Sequence, residues 1–139
     1  MCQIEFPYAE EESNTFGSVM RPRISMDLFS TFRDEWLPID DVLADTGADL
    51  TVLPRFIGEL LTVDITDGKY SEIKGVIPGT ILVAYVHQIE VRIGTLVFEA
   101  PVAIADSNDV PSIFGRVNAL DRFDANFLNG ERVKLYWKE

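Results

Sequence analysis

Hydrophobic and polar residues alternate with a period of two along most of this chain, which is the pattern of strands with one buried face. In the segment RISMDLFS, Ile24, Met26 and Leu28 fall on one face. The segments 80–94 and 95–106 alternate in the same way over greater lengths. The pattern therefore predicts a strand in each of these three segments.

The C-terminal segment FLNGERVKLYW predicts a β-hairpin. Its centre is Asn129-Gly130, a strong signal for a type I′ turn, because both residues tolerate positive φ angles. Val133, Leu135 and Trp137 alternate with polar residues on the second arm. We expect these three side chains to face the core.

Helical periodicity is scarce. Segment 116–123 is the best candidate for a short helix, and segment 54–61 fits either a short helix or a turn. Segments 9–18 and 30–38 have no clear periodicity and are expected to be loops. Together these patterns predict an all-β protein, a sandwich or a barrel, with one short helix near the C-terminus.

Composition limits the size and the partners of the protein. The 139 residues suit one domain, and 47% of them are hydrophobic. The formal net charge is −11, from 23 acidic and 12 basic residues. Nucleic acid and anionic membrane surfaces are therefore not expected partners, because both bind clustered positive charge.

The metal-binding and targeting signals are few. Cys2 is the one cysteine and His87 the one histidine, so an internal disulfide is excluded and a zinc site, another metal site or a cofactor is not expected. We expect His87 to be an exposed or hydrogen-bonded strand residue. The chain has no run of 18 apolar residues and no secretory signal at its start, which predicts a cytoplasmic protein.

The segment VLADTGADLTVLP carries the candidate chemistry. It places Asp45, Thr46 and Gly47 between apolar residues, where a buried strand would otherwise continue. Gly47 lets the backbone turn and lets another segment approach closely, and the Thr46 hydroxyl can fix a neighbouring backbone group. Such a loop would present Asp45 at the edge of the core, although a plain Asp-Gly turn between strands would give the same triplet.

Two later segments occur in a specific order after this triplet: KGVIPGT at 74–80, and Ile113-Phe114-Gly115-Arg116 at the start of the candidate helix. The three segments together resemble the retropepsin-like aspartic proteases, over about residues 20–128. The resemblance implies an acid-protease single lobe, a closed barrel with one short C-terminal helix, in residues 19–139. Residues 1–18 would be an N-terminal strand or tail.

The resemblance also implies a role for each matched residue. Asp45 would be the catalytic carboxylate, and Thr46 would bond to its counterpart across a dimer. Asp49 and Arg116 would form a structural ion pair within one subunit. Backbone groups that bind an extended peptide would come from the active loop and from a flap, at Gly47, Ala48, Asp49, Gly75, Val76, Ile77 and Gly79. Pro78 departs from the glycine-rich flap tip of the family and removes one backbone N–H.

The chemistry of aspartic proteases needs two carboxylates that share one proton. This chain has one Asp-Thr-Gly, and IADSNDV lacks the glycine, so Asp106 is expected to be a loop residue. The second carboxylate would then come from another copy, which predicts an aspartic endopeptidase that works as a homodimer on peptide or protein substrates. The alternative is a catalytically silent module of the same fold that dimerises or binds peptides.

Overall fold

The structure is a computed structural model that describes residues 1–74 and 79–139. Among these residues, no helix is long and apolar enough to cross a bilayer. Two short 3-10 helices, Ile65–Asp67 and Leu120–Arg122, accompany one α-helix, α1 (Arg55–Leu61), in this part of the chain. The strands are β1 (Cys2–Pro7), β2 (Ala9–Ser13), β3 (Gly17–Arg21), β4 (Arg23–Ser30), β5 (Glu35–Ala44), β6 (Thr51–Leu53), β7 (Lys69–Lys74), β8 (Ile81–Ile93), β9 (Leu96–Ala105), β10 (Ile113–Phe114), β11 (Asp124–Leu128) and β12 (Arg132–Trp137).

Six strands form a closed barrel. Hydrogen-bonded neighbours follow the order β4-β5-β10-β6-β9-β8, and β4 pairs again with β8, so the sheet has no free edge along this circuit. β7 extends β8 as an outlying hairpin arm. The predicted all-β class and barrel-like lobe are confirmed.

The alternating residues of the barrel strands point into one core. Ile24, Met26 and Leu28 on β4 are nearly inaccessible, as their period of two predicts. Val91 on β8 and Val102 on β9 are fully buried in the same cluster. Burial of these apolar faces is the main stabilising contribution to the barrel.

A second sheet, in the order β1-β12-β11, packs on the barrel. Asn129 and Gly130 join its last two strands with φ angles of 52° and 69°, as a type I′ turn requires, so the predicted hairpin is confirmed. Val133 and Leu135 are fully buried, and the Trp137 ring packs edge-on against Phe123 at 5.9 Å between centroids. This sheet and the barrel therefore share one core.

The C-terminal helical segment is shorter than expected. Residues 116–123 form turns and the single 3-10 turn Leu120–Arg122, and the α-helix lies instead at Arg55–Leu61. The physical reason lies in the backbone of 116–123. Asn118 has a φ of +51°, and Ala119 has φ −133° and ψ −99°, so neither residue continues an α-helix.

The two segments expected to be loops contain strands. In 9–18, part of the hairpin β2–β3 forms, and the Glu11 carboxylate pairs with both Arg21 and Arg23. In 30–38, the turn ends early and β5 starts at Glu35, where Trp36 packs edge-on against Phe29 of β4. Cross-strand pairs supply the stabilisation that the local sequence pattern does not indicate.

Gly115 lies where the segment after β10 passes beneath the loop after β5. A Cβ atom at this position would lie 2.3 Å from the carbonyl oxygen of Leu50. The Gly115 N–H donates to the buried hydroxyl of Thr51 at 3.1 Å, and the Arg116 N–H donates to the Ala48 carbonyl at 2.9 Å. The absence of a side chain at Gly115 is what allows these two backbone segments to bond.

The expected ion pair between Asp49 and Arg116 is replaced by another. The Arg116 guanidinium donates to the Asp121 carboxylate at 3.2 Å, across the short turn of 116–123. This bond, and to a smaller degree the charges of Asp121 and Asp49, raises the pKa of Arg116. The chain turns at Asn118, whose φ is +51°, and Asp121 lies within bonding distance of Arg116.

We expect Gly115→Ala to lower the free energy of unfolding by about 3 kcal/mol, because the new methyl group would force two backbone segments apart. Gly130→Ala is the matched control, since a Cβ there meets open space and only its positive φ opposes alanine, at about 1 kcal/mol. Urea denaturation of both variants measures the difference. Equal losses would show that the close approach at Gly115 is not what limits this site.

We expect Arg116→Ala to lower the melting temperature much less than Gly115→Ala. Arg116 and Asp121 are each about half-exposed, at 48% and 50%, so water screens their attraction. Asp121→Ala should give the same small change, and the double variant should add little to either. A drop as large as that of Gly115→Ala would restore the structural role that the family resemblance assigns to Arg116.

Candidate active site

Asp45 is the residue at which a barrel strand leaves the core. It follows β5 directly, and its backbone N–H donates to the Phe114 carbonyl of β10 at 3.0 Å. The preceding N–H, of Ala44, donates to the Pro22 carbonyl at 2.9 Å. Neighbouring segments on two sides therefore fix the backbone of Asp45, although its side chain stands beyond the buried end of the strand.

The carboxylate of Asp45 is oriented by its own loop. Its Oδ1 accepts a hydrogen bond from the Gly47 N–H at 2.9 Å, and the Asp45 carbonyl accepts one from the Ala48 N–H at 3.2 Å. Asp45 is partly exposed, and Thr46 and Gly47 are exposed. The carboxylate is thus held by a backbone donor and can still reach solvent, which a group that exchanges protons with water requires.

A groove of about 630 Å³ begins beside this loop. Gly47, Ala48 and Asp49 line one end of it, which is where the substrate-binding backbone is expected. Most of its remaining surface is apolar and comes from the barrel and from β7, at Leu50, Val52, Ile73, Leu82, Val110 and Ile113. The shape and the apolar lining suit an extended chain with hydrophobic side chains.

The hairpin of β7 and β8 borders the groove at the position expected for the flap. Glu72 and Lys74 of β7 lie on the groove, and Lys74 pairs with Ile81 as the last described pair before the tip. Gly79 lies in a turn with a φ of +88°. The other expected flap residues, Gly75, Val76 and Ile77, and also Pro78, lie outside the described residues.

Asp106 lies in a loop and His87 on a strand, as the sequence predicts, and each has a structural partner. Asp106 lies in a bend after β9, where its carboxylate accepts a hydrogen bond from the Arg55 guanidinium. His87 lies on β8, and its Nε2 contacts the Ile65 carbonyl oxygen at 2.7 Å. Neither side chain lines the groove beside Asp45.

Several residues of the site are not marked by any motif in the sequence. The groove wall includes Glu72 and Lys74, whose exposed positions resemble those of any edge hairpin. Thr51 is the exception, because a threonine inside the apolar run LTVLP signals a buried hydroxyl with a partner, and that partner is Gly115.

Among residues 1–74 and 79–139, no group of three or more His, Cys, Asp or Glu side chains is placed to hold a metal ion.

Comparison with known proteins finds similarity at the level of structure alone. No protein-family model and no curated protein matches the chain in sequence. Among solved structures, a retropepsin-like aspartic protease from Rickettsia conorii matches with a TM-score of 0.62 and 19% identity, over 97% of this chain and 92% of that one. EIAV protease complexed with the inhibitor HBY-793 matches with a TM-score of 0.43 and 21% identity, over 69% of this chain and 82% of that one. The match to the Rickettsia conorii structure shows that the chain has a retropepsin-like fold.

Proposed function

We propose that this protein is an aspartic endopeptidase that acts as a homodimer on extended peptides, with Asp45 as the catalytic carboxylate. The observation that carries the proposal is the position of Asp45. Its carboxylate is oriented by the Gly47 amide, remains accessible to water, and belongs to the loop that borders an apolar groove. The Gly47 bond and the exposure are also found in an ordinary Asx turn, so the position of this turn beside the groove is what favours a catalytic role for Asp45.

One carboxylate per chain makes a second copy necessary. Asp106, the other candidate, is bonded to Arg55 and lies away from the groove lining. If two copies meet at a twofold axis beside the Asp45 loops, the two carboxylates share one proton. The ionised one removes a proton from a water molecule, and the protonated one donates a hydrogen bond to the scissile carbonyl.

The remaining residues of the loop and the flap hold the substrate. Gly47, Ala48 and Asp49 line the groove, and this short stretch would bond to an extended peptide through its backbone, as one strand bonds to another. We assign Gly75, Val76, Ile77 and Gly79 to a flap that holds the peptide, because the resemblance gives them this role; of these four, the structure describes Gly79. The exposed Thr46 bonds to its counterpart across the axis and keeps the two loops together.

We expect Asp45→Asn to reduce peptide hydrolysis at least about a thousandfold, because an amide cannot act as the general base. Asp106→Asn is the matched control: it also removes one carboxylate beside a short turn, and it should hydrolyse at the parent rate. Turnover of a peptide library followed by mass spectrometry measures both, and unchanged melting temperatures confirm that both variants fold.

Each other outcome of this comparison has a definite meaning. If Asp106→Asn is also inactive, the second carboxylate lies within the chain and the shared site is wrong. If the parent protein binds peptides from the library without cleaving them, the silent peptide-binding module replaces the peptidase. Full turnover by Asp45→Asn would remove Asp45 from the mechanism.

Hydrolysis should be fastest at acidic pH and should fall as the pH rises. The reason is that the pair of carboxylates works with one proton bound, and the pair loses that proton when both groups ionise. A pH–rate profile of the dimer at saturating peptide, with a statine-type inhibitor as the control for site-specific turnover, measures this. A rate that continues to increase above neutral pH would contradict the two-carboxylate mechanism.

A further inference from the structure

The groove beside the Asp45 loop has a lysine on its wall. Most of the described residues that line the groove are apolar, and three are charged: Asp49, Glu72 and Lys74. Two of the three are acidic, in a protein whose formal net charge is −11. Among the described lining residues, Lys74 is therefore the one cation that a peptide in the groove would meet.

Most basic residues of this protein are paired with a carboxylate. In the part of the chain that the structure describes, eight of the twelve lysine and arginine side chains form ion pairs, and Lys69, Lys74, Arg122 and Lys138 form none. Lys74 differs from the other three because it lines the groove. Its ammonium group is therefore available to donate charge-assisted hydrogen bonds to a carboxylate that enters the groove.

The two carboxylates of the groove wall already have favourable partners. Glu72 Oε1 accepts a hydrogen bond from the Tyr70 hydroxyl at 2.9 Å. The pKa of Arg116 is raised mainly by its bond to Asp121 and to a smaller degree by the charge of Asp49, so Asp49 lies in the field of a cation. Within the described residues, no ion pair joins either carboxylate to the groove lysine. The lysine is thus the charged group of the wall that is left for a ligand.

The position of Lys74 on β7 places it at the rim of the groove. The preceding residue, Ile73, packs in an apolar cluster with Val52 and Leu82, which also line the groove. Successive side chains of a strand point to opposite faces, and Lys74 is exposed. A long lysine side chain at such a rim can reach a side chain of the peptide while its ammonium group stays in contact with water.

We infer that Lys74 is a specificity-determining residue, and that the groove prefers extended peptides with an aspartate or glutamate opposite Lys74, next to the apolar side chains that fill the groove. The inference rests on the proposed function, because the peptide lies in the same groove. The negative charge of the protein, together with Asp49 and Glu72, repels acidic peptides. An acidic side chain is therefore favoured at one position of the peptide and disfavoured at the others.

Peptide binding measures this preference without the need for cleavage. The Asp45→Asn variant is titrated with extended peptides that have fixed apolar residues and either glutamate or glutamine at one varied position, and fluorescence polarisation gives each dissociation constant. At one position, the glutamate peptide should bind about fivefold more tightly, the effect of one partly exposed ion pair. Lys74→Glu in the same background should reverse the preference at that position, because like charges then face each other.

Lys69→Glu is the matched control. Lys69 is exposed, lies on the same strand, forms no ion pair with the described residues and does not line the groove. Lysines also protect edge strands from pairing with other chains, a role that Lys69 would fill as well as Lys74. Lys69→Glu changes the net charge by the same amount and should keep the preference for glutamate. Unchanged melting temperatures confirm that both variants fold.

The results separate this inference from the proposed function. Cleavage by the parent protein, with equal binding of the glutamate and glutamine peptides at every position, overturns the inference and leaves the peptidase intact. A preference for glutamate that Lys74→Glu reverses, in a protein that cleaves no peptide, confirms the inference and overturns the peptidase. An equal loss of preference in Lys69→Glu shows a general effect of charge and overturns the inference. If peptides are neither bound nor cleaved, both are wrong.

Discussion

The structure depends on one close approach, that of Gly115 to the backbone of the Asp45 loop. With no side chain at Gly115, the Thr51 hydroxyl and the Ala48 carbonyl can accept hydrogen bonds from two successive backbone N–H groups. These bonds hold β10 between β5 and β6 and so help to close the barrel. They also fix the loop that carries Asp45, so that one packing constraint serves both the fold and the candidate site.

Among the described residues, the charge of the Asp45 carboxylate is not neutralised by a nearby arginine in an ion pair. Arg55 pairs with Asp106 and Arg116 pairs with Asp121, so two cations near the loops are already bound to carboxylates. The Asp45 carboxylate is held by a backbone amide instead of a cation. This arrangement is compatible with the proposed mechanism, in which two like carboxylates share one proton, because a paired arginine favours the ionised form of a carboxylate.

The second sheet extends the core beyond the barrel. Its central strand, β12, buries Val133, Leu135 and Trp137 in the core that it shares with the barrel. Its β11 edge carries the half-exposed Phe127. The net charge of −11 opposes the association of two copies at neutral pH, so salt should lower the electrostatic cost of the proposed dimer.

The sequence by itself determined three of the six barrel strands, β4, β8 and β9, because a period of two, as in Ile24, Met26 and Leu28, depends only on which face is buried. It also determined the Asn129-Gly130 turn and the loop role of Asp106, since both follow from local backbone chemistry. Only the tertiary structure decided the helix position, the partner of Arg116 and the walls of the groove. Each of these depends on contacts between residues far apart in sequence or on a single backbone angle, such as the φ of Asn118. The hydrophobic periodicity of the sequence predicts neither.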